Sequence, residues 1–197
     1  SAKNGLKGNI IKFPSISVGA TENAILAAVS AKGKTIISNC AIEPEIQDMI
    51  VFLKKMGCII SFIGKRKLSI TGSKKFKSVN HEIIFDRIEL GTYLIAAALI
   101  GKKIILKKIK PKIIDTEIKI LKKMGVRMKI DYNEITVFES NKIKNVNIKT
   151  EPYPGFPTDL QAQIMVLMSK ALGTSKVKES IFENRFMHVP ELRRMGA

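Results

Sequence analysis

The chain has 197 residues, 45% of them hydrophobic, and its 34 Lys and Arg against 17 Asp and Glu give a formal net charge of +17. No apolar run approaches the roughly 18 residues of a membrane-spanning helix, and the polar start Ser1–Gly8 does not resemble a secretory signal, so we expect a cytoplasmic globular protein. The two cysteines are too few for a disulfide framework or a metal cluster, and as small buried side chains they fit a reducing compartment.

The first predicted helix, Ala20–Ala31, has a face of small residues and is expected to end at Gly33. Ser17, Gly19 and Thr21 lie at its start. Free backbone N–H groups and hydroxyls at a helix start can bind an anion or a phosphate. The alternative is that Ser17 or Thr21 simply caps the helix, and the residues alone leave both interpretations open.

A strand, a second helix and a hairpin follow, because β-branched runs alternate with apolar residues at three-four spacing. We expect His81, between a lysine-rich loop and the next repeat, at the surface. The predicted elements are the strand Thr35–Ser38, a helix from Pro44 to Gly57, and the strands Cys58–Ile63 and Leu68–Thr71 about a turn at Gly64–Lys67.

The same order of elements is predicted a second time. Asp86 and Arg87 open its first helix, either as a cap with an adjacent exposed arginine or as a pair that braces an interface. The elements are a helix Leu90–Ile100 ending at Gly101, a strand Lys103–Leu106, a helix from Pro111 to Gly125, and the strands Val126–Ile130 and Glu134–Phe138 about a turn at Asp131–Asn133.

A third copy begins in the same way, with a helix Leu160–Leu172 ending at Gly173 and a strand Ser175–Lys178. Three prolines in the loop before this helix make the loop stiff. Asp159 at the helix start is therefore either a cap or a carboxylate held rigidly as acceptor or base for a hydroxyl.

The second helix of this third copy breaks the pattern. Pro190 would fall inside a helix that kept the register, so we expect the helix to begin at Pro190 and Phe182–His188 to form an ordered loop. That loop concentrates side chains able to bind a carboxylate or a phosphate, although His188 by itself is expected to be a structural hydrogen-bonding residue. These side chains are Glu183, Asn184, Arg185 and His188.

One short motif marks all three copies. Leu-Lys-Lys-Met-Gly occurs at Leu53–Gly57 and Leu121–Gly125, and Leu-Arg-Arg-Met-Gly occurs at Leu192–Gly196, with glycines 68 and 71 residues apart. A fixed period of this size indicates one supersecondary unit used repeatedly. The sequence thus predicts an α/β fold of repeated βαβαββ units, several of which must pack together to cover their apolar faces.

Residues that depart from the repeat resemble a known family. The sequence resembles UDP-N-acetylglucosamine 1-carboxyvinyltransferases along essentially its whole length, at Ser17–Thr21, Glu43–Ile46, Asp86–Thr92, Phe156–Gln163 and Ile181–Gly196. The resemblance implies two inside-out α/β barrel domains, each of three βαβαββ units, with an active site between them. It also implies transfer of the enolpyruvyl group of phosphoenolpyruvate to the 3′-hydroxyl of UDP-N-acetylglucosamine. This reaction is the first committed step of peptidoglycan synthesis, and it links the family to cell-wall growth, cell shape and division.

The resemblance also assigns site residues. We expect no metal and no cofactor. Asp159 would contact the 3′-hydroxyl and is the candidate base. Ile181 would bind the UDP-sugar, and Glu183 and Arg185 are carried over with it. The stretch that would hold the uridine diphosphate comprises Ser15, Ile16, Ser17, Val18 and Gly19.

Other parts of the family's equipment have no counterpart in the chain: the early Lys-Asn pair, the loop with the reactive cysteine, and the arginines that hold phosphoenolpyruvate. Cys40 is unrelated to that loop and should not inherit its role. We therefore expect the middle portion of a longer enzyme, with residues 1–85 as the closing unit of one barrel domain and 86–197 as about one and a half units of the second. Alone it is expected to be inactive, to need the remainder of the parent enzyme, and to self-associate through exposed apolar surface.

A different function is suggested by the charge alone. A non-catalytic basic repeat module could bind an anionic partner through its +17 net charge. The lysines, however, are spread through the chain, and few aromatic residues are available to stack on bases. We therefore expect no binding to nucleic acid or membrane, and substrates limited to the two small molecules named above.

Overall fold

The structure, a computed structural model, describes residues 3–73 and 75–197. The chain divides into two compact units, Ser1–Ile84 and Phe85–Ala197, each with its own apolar core. Helices and strands alternate in both, which confirms the predicted α/β class. Within the described residues, no helix is both long and apolar enough to cross a membrane.

The first unit has the predicted βαβαββ order, and its four strands form one sheet in the order β1-β2-β4-β3. Strands β1 and β2 are parallel, as the intervening helix requires, and the other pairs are antiparallel. The elements are β1 Ile10–Lys12, α1 Val18–Val29, β2 Lys34–Ser38, α2 Pro44–Lys55, β3 Ile59–Gly64 and β4 Lys67–Thr71.

Helices α1 and α2 pack on this sheet through an apolar core that contains Ile25, Ile37 and Ile46 at 0% exposure. Both cysteines lie in the same core. Burial, the largest cause, raises the pKa of Cys40 and of Cys58, so neither thiol is prepared to act as a thiolate nucleophile.

The second unit continues the repeat in two sheets, an antiparallel sheet in the order β5-β7-β6 and a parallel pair β8-β9. None of the three sheets formed by residues 3–73 and 75–197 closes into a barrel. The elements are α3 Arg87–Ile100, β5 Lys103–Lys107, a 3-10 turn Pro111–Ile114, α4 Asp115–Lys123, β6 Met128–Ile130, β7 Glu134–Phe138, β8 Asn147–Lys149, a 3-10 turn Thr158–Leu160, α5 Gln161–Ser169, β9 Lys176–Lys178 and α6 Val189–Arg194.

The repeated motif forms the same helix ending three times. Gly57, Gly125 and Gly196 have φ values of +98°, +86° and +93°, a conformation that favours glycine. In each copy the N–H of the following residue donates to the carbonyl of the motif's leucine at 3.0 Å. This is the Schellman ending, and it explains why leucine and glycine recur at fixed spacing.

Close packing of α3 against α5 positions the start of α5. A Cβ added at Gly91 would lie 2.3 Å from Cδ1 of Leu160, so the two helices approach at the glycine. Leu160 is the last residue of the 3-10 turn that carries Asp159, and it is fully buried. The turn therefore rests on the rigid core of the second unit.

Several boundaries differ from those predicted. Helix α1 begins at Val18 because Ser17 accepts a hydrogen bond from Ala20 N at 3.3 Å and caps it. Helix α5 ends at Ser169, three residues before the predicted Leu172. Helix α6 begins one residue before Pro190, close to the prediction.

Arg87 and the side chain of His81 are both shielded from solvent. Arg87 is only 8% exposed, and its guanidinium lies 5.7 Å from the ring centre of Tyr153, although Asp86 caps α3 as predicted. The His81 side chain is 8% exposed, with Nε2 3.1 Å from Oδ2 of Asp48. The prediction of a surface His81 was wrong, and of the two interpretations of Asp86 and Arg87 the structure excludes the exposed arginine. In both cases the partner comes from a distant part of the sequence.

The third copy exposes apolar side chains, as expected. None of the residues of α6, Val189–Arg194, is buried. Met187 and Met195 are 80% and 83% exposed, and Phe182 is 57% exposed. Association of chains through this surface stays a prediction.

Candidate functional site

A cavity of about 280 Å³ opens between the start of α5 and the loop that precedes α6. Its lining is mostly polar with two apolar side chains, which suits an organic ligand with polar groups. The lining residues are Thr158, Asp159, Gln161, Ala162, Asn184, Arg185, Met187 and His188.

Asp159 and Arg185 meet at the wall of this cavity. Nη2 of Arg185 donates to Oδ1 of Asp159 at 2.7 Å, and the side chains are 35% and 52% exposed. The guanidinium also lies 5.2 Å from the ring centre of Phe182, which restricts its orientation. Among the described residues nothing donates to Oδ2 of Asp159, so this oxygen can accept a hydrogen bond from a ligand hydroxyl.

The loop before Asp159 is fixed by contacts from outside it. Oγ1 of Thr116, in α4, donates to the carbonyl of Pro154 at 2.5 Å, and N of Glu151 donates to the carbonyl of Phe156 at 2.9 Å. The buried Arg87 packs on Tyr153 in the same loop. The stiffness predicted from the prolines is thus reinforced by tertiary contacts.

A buried carboxyl lies near these anchors. Glu117 is 5% exposed, and its burial raises its pKa, while a backbone hydrogen bond and the charge of Arg87 act in the opposite direction. This partial compensation is what a carboxyl needs in order to remain in an apolar core. Arg87, which packs on Tyr153, therefore also interacts electrostatically with the buried Glu117.

Glu179 accepts hydrogen bonds from residues at both ends of the loop before Asp159 and from the segment that precedes α6. Its Oε1 accepts hydrogen bonds from Oγ1 of Thr150 and N of Ile181 at 2.8 Å each, and from N of Phe182 at 3.2 Å. Its Oε2 accepts one from Oγ1 of Thr158 at 2.9 Å. Burial alone would raise the pKa of Glu179, but these hydrogen bonds outweigh it and hold the pKa below its usual range.

Two glutamine side chains of α5 have buried polar atoms without a hydrogen bond to any described residue. Gln161 is 0% exposed, and within residues 3–73 and 75–197 neither its Nε2 nor its Oε1 has a hydrogen bond. Gln163 donates from Nε2 to Oγ1 of Thr92 at 3.1 Å, but its Oε1 is unsatisfied in the same described residues. Such orphaned amides are unfavourable, because each buried polar atom loses its hydration without replacement.

The other predicted residues of this unit lie nearby but differ in role. Ile181 uses its N–H for Glu179, so a backbone contact to a ligand would have to use its carbonyl. Glu183 is exposed and is not part of the cavity wall. Nε2 of His188 lies 3.3 Å from the sulfur of Met165, in keeping with a structural role, and His188 also lines the cavity.

The predicted diphosphate segment belongs to the first unit, at the start of α1. The N–H groups of Val18 and Gly19 have no acceptor among the described residues, and the first turn of α1 holds no acidic residue. A Cβ added at Gly19 would meet nothing within 4 Å, so the helix start is open. Ser15 is exposed, and Ile16 and Ser17 are partly buried.

The hydroxyl of Thr21 is used within the fold. It is fully buried, its hydroxyl donates to the carbonyl of Ser17 at 2.7 Å, and it accepts from N of Ala41 at 2.9 Å. Among the described residues, moreover, no group of three or more His, Cys, Asp and Glu could hold a metal ion.

Sequence reasoning missed Glu179, Gln161 and the inward position of Arg87. Glu179 lies two residues before the recognised motif that begins at Ile181, and an acidic residue next to a special loop is the signal that could have found it. Gln161 lies inside the Phe156–Gln163 motif. It is a polar residue on an otherwise apolar helix face, and this contrast could have identified it from the sequence.

Comparison with known proteins gives consistent matches. The sequence model described as EPSP synthase (3-phosphoshikimate 1-carboxyvinyltransferase) matches residues 2–197. A UDP-N-acetylglucosamine 1-carboxyvinyltransferase of Pelagibacter ubique is 59% identical over the whole chain and 47% of its own length. One of Endomicrobium trichonymphae is 51% identical over the whole chain, again with 47% of its own length covered. The chain thus spans about half the length of these curated relatives.

A solved structure also matches. The enolpyruvyl transferase NikO from Streptomyces tendae is similar with a TM-score of 0.80 and 26% sequence identity, over 89% of this chain and 42% of that one. The repeated βαβαββ architecture is therefore shared with a solved member of this group of transferases.

Proposed function

The chain belongs to the EPSP synthase (3-phosphoshikimate 1-carboxyvinyltransferase) family, and from this premise we propose that it is part of a UDP-N-acetylglucosamine 1-carboxyvinyltransferase. The complete protein transfers the enolpyruvyl group of phosphoenolpyruvate to the 3′-hydroxyl of UDP-N-acetylglucosamine and releases phosphate. It acts in the cytoplasm at the first committed step of peptidoglycan synthesis. Identity of 59% and 51% to two relatives of that name supports this choice over the 3-phosphoshikimate reaction.

Asp159 is the residue on which the proposed chemistry depends. Its free Oδ2 accepts the hydrogen of the 3′-hydroxyl, and Arg185 on Oδ1 holds the carboxylate in place. A carboxylate within hydrogen-bond reach of the hydroxyl can accept its proton as the oxygen attacks C2 of phosphoenolpyruvate. Ile181 and Glu183, on the loop that carries Arg185, contribute to the sugar site.

The start of α1 binds the diphosphate. Segment 15–19 offers the N–H groups of Val18 and Gly19 at the positive end of the helix dipole, in open space and without a competing carboxylate in the first turn. Backbone N–H groups suit a diphosphate because they donate hydrogen bonds to its oxygens directly, without a side chain that has to reach the ligand.

The domain assignment follows from the same proposal. Residues 1–85 form the closing βαβαββ unit of one barrel domain, and residues 86–197 form about one and a half units of the second. The rest of the parent enzyme supplies the groups that bind phosphoenolpyruvate, because the arginines that bind it in the family have no counterpart in this sequence.

A single observation carries the proposal: the Asp159–Arg185 pair at the cavity wall, within motifs shared with that class of transferase. The test is an acceptor comparison with the complete protein that contains this sequence. We expect phosphate release from phosphoenolpyruvate with UDP-N-acetylglucosamine and none with 3-phosphoshikimate. The reverse preference, or release with neither acceptor, would refute the proposal.

A further inference from the structure

Glu179 joins three segments of the second unit through one carboxylate. It lies directly after β9 and accepts hydrogen bonds from Thr150 after β8, from Thr158 in the 3-10 turn, and from Ile181 at the start of the loop before α6. We propose that Glu179 is a positioning residue for acceptor-sugar binding, which sets the distance between Asp159 and the Ile181 loop. This inference rests on the proposed function.

The connection to Asp159 is short. Thr158 immediately precedes Asp159, and its hydroxyl donates to Oε2 of Glu179 at 2.9 Å. Movement of that hydroxyl displaces the turn and with it the carboxylate that receives the substrate hydroxyl. A displacement of about 1 Å at a reacting group can reduce the rate about 100-fold.

The connection to the loop is equally direct. Two successive N–H groups, those of Ile181 and Phe182, donate to Oε1 of Glu179 at 2.8 Å and 3.2 Å. Phe182 in turn supports the guanidinium of Arg185, which holds Asp159. Glu179 therefore acts on Asp159 from two sides without touching the substrate.

The ionised carboxylate is the group that suits this place. All four partners donate, and a carboxylate accepts at both oxygens without offering a proton. The carboxylate can only accept, so the Thr150 hydroxyl donates to it, and Oγ1 of Thr150 in turn accepts from N of Ser180 at 2.9 Å. A glutamine retains one strong acceptor, for the loop, but places an amide NH₂ beside Thr158.

The test uses steady-state kinetics of the complete protein. We expect Glu179→Ala to raise KM for UDP-N-acetylglucosamine at least 10-fold and to lower kcat, with KM for phosphoenolpyruvate unchanged. Glu179→Gln should recover part of the loss in KM, because its amide oxygen still accepts from Ile181 and Phe182. Glu139→Ala is the matched control, since Glu139 is an exposed glutamate of the same unit, and it should behave as wild type.

A merely structural role would give a different pattern. Partial unfolding lowers the fraction of active enzyme, so kcat falls while both KM values stay constant, and that result would overturn the proposal. Unchanged kinetics of Glu179→Ala would overturn it as well. Wild-type protein inactive with UDP-N-acetylglucosamine would instead refute the proposed function, before any variant is compared.

Thr158→Val provides a milder second variant for the case in which Glu179→Ala does not fold. It removes one hydrogen bond at constant shape and should raise KM for UDP-N-acetylglucosamine and lower kcat, each about 3- to 10-fold, with KM for phosphoenolpyruvate unchanged. In the double variant with Glu179→Gln, the fold-change in kcat should be smaller than the product of the two single fold-changes, because both substitutions act on the same contact. Fully multiplicative effects would contradict the proposed connection.

Discussion

At the scale of single residues, two carboxylates of the second unit differ in their surroundings. Asp159 is half-exposed and has one cationic partner, so one oxygen remains available. Glu179 accepts four hydrogen bonds, and its pKa is lowered by them against the effect of burial. These different environments fit different roles: Asp159 can accept a hydrogen bond from a ligand, whereas Glu179 holds segments of the fold in position.

Replacing Asp159 by asparagine tests the first of these roles. The amide retains the shape and an acceptor for Arg185, but it cannot take up a proton, so kcat of the complete protein should fall roughly 10²- to 10⁴-fold. Thermal stability should hardly change, because the side chain is 52% exposed. Steady-state kinetics and a thermal melt together check this expectation.

The control for that variant is Asp131→Asn. Asp131 forms a surface ion pair with Lys129 at 2.9 Å in a turn remote from the cavity lining, and such pairs contribute little to stability. It should retain full activity. Wild-type turnover in Asp159→Asn would remove Asp159 from the chemistry.

Gln161 allows a stability prediction. Replacing its buried, unsatisfied amide with the similar-sized Met should raise the free energy of unfolding by about 1–3 kcal/mol. Tyrosine fluorescence during urea unfolding reports on the second unit alone, because Tyr93, Tyr132 and Tyr153 all lie there and the chain has no Trp. The control Gln163→Met loses a hydrogen bond to Thr92, so its free energy of unfolding should rise little. A loss of stability in Gln161→Met would show that the Gln161 amide has a partner.

At the scale of elements, local signals predicted most of the helices and strands. The Leu-to-Gly motif predicted three helix endings because its hydrogen bond joins residues only five positions apart. Pro44 and Pro190 predicted helix starts to within one residue for a related reason, since a fixed φ acts at its own position. Repeat register then supplied the order of elements in both units.

Non-local contacts account for what the sequence did not predict. Arg87 is buried because Tyr153 comes over its guanidinium, and Glu179 is engaged because Thr150, 29 residues away, faces it. His81 is buried for the same reason, through Asp48. Periodicity carries no information about such pairs, so the sequence did not predict the residues that hold the site in place. Several residues expected to contact the ligand could be named, but only from the family resemblance.

Helix α1 offers a test at this scale. Gly19→Ala should leave the first unit as stable as before, because an added Cβ meets nothing within 4 Å and alanine favours a helix. It should weaken binding of UDP and of UDP-N-acetylglucosamine alike, by 10-fold or more, because the methyl group occupies the approach to the N–H groups. Calorimetric titration of the complete protein measures both ligands.

Gly64→Ala is the matched control in the same unit. Its added Cβ would meet only Cβ of Lys67, at 3.5 Å, which is ordinary contact. Affinity for both ligands should stay at the wild-type value. Equal affinity in Gly19→Ala would place the diphosphate elsewhere.

At the scale of the whole molecule, the net charge of +17 needs an explanation that fits the proposed function. Both proposed substrates are anions, and a positive surface raises the rate at which anions meet the site. Dispersed lysines, without an aromatic stacking surface, should give only weak binding to nucleic acid, largely lost near 150 mM salt where the Debye length is about 8 Å. A saturable nanomolar complex at that salt would favour the alternative of a basic binding module.

The length of the chain also determines the activity expected of it. The chain spans about half the length of its curated relatives, and transition-state charge on phosphate and carboxylate needs cationic partners that its sequence does not match. The 197-residue chain alone should therefore release no phosphate from phosphoenolpyruvate with UDP-N-acetylglucosamine. Phosphate release at rates typical of enzymes would contradict this.

The most direct test of the central claim, that Asp159 receives the 3′-hydroxyl of the acceptor sugar, is a cycle of four binding constants. Affinities of the complete protein and of its Asp159→Ala variant are measured for UDP-N-acetylglucosamine and for its 3′-deoxy analogue. We predict that loss of the hydroxyl weakens binding to the wild type about 10-fold or more, as for a hydrogen bond to a charged group, and leaves binding to the variant unchanged. An equal ratio of the two affinities in both proteins would contradict the claim.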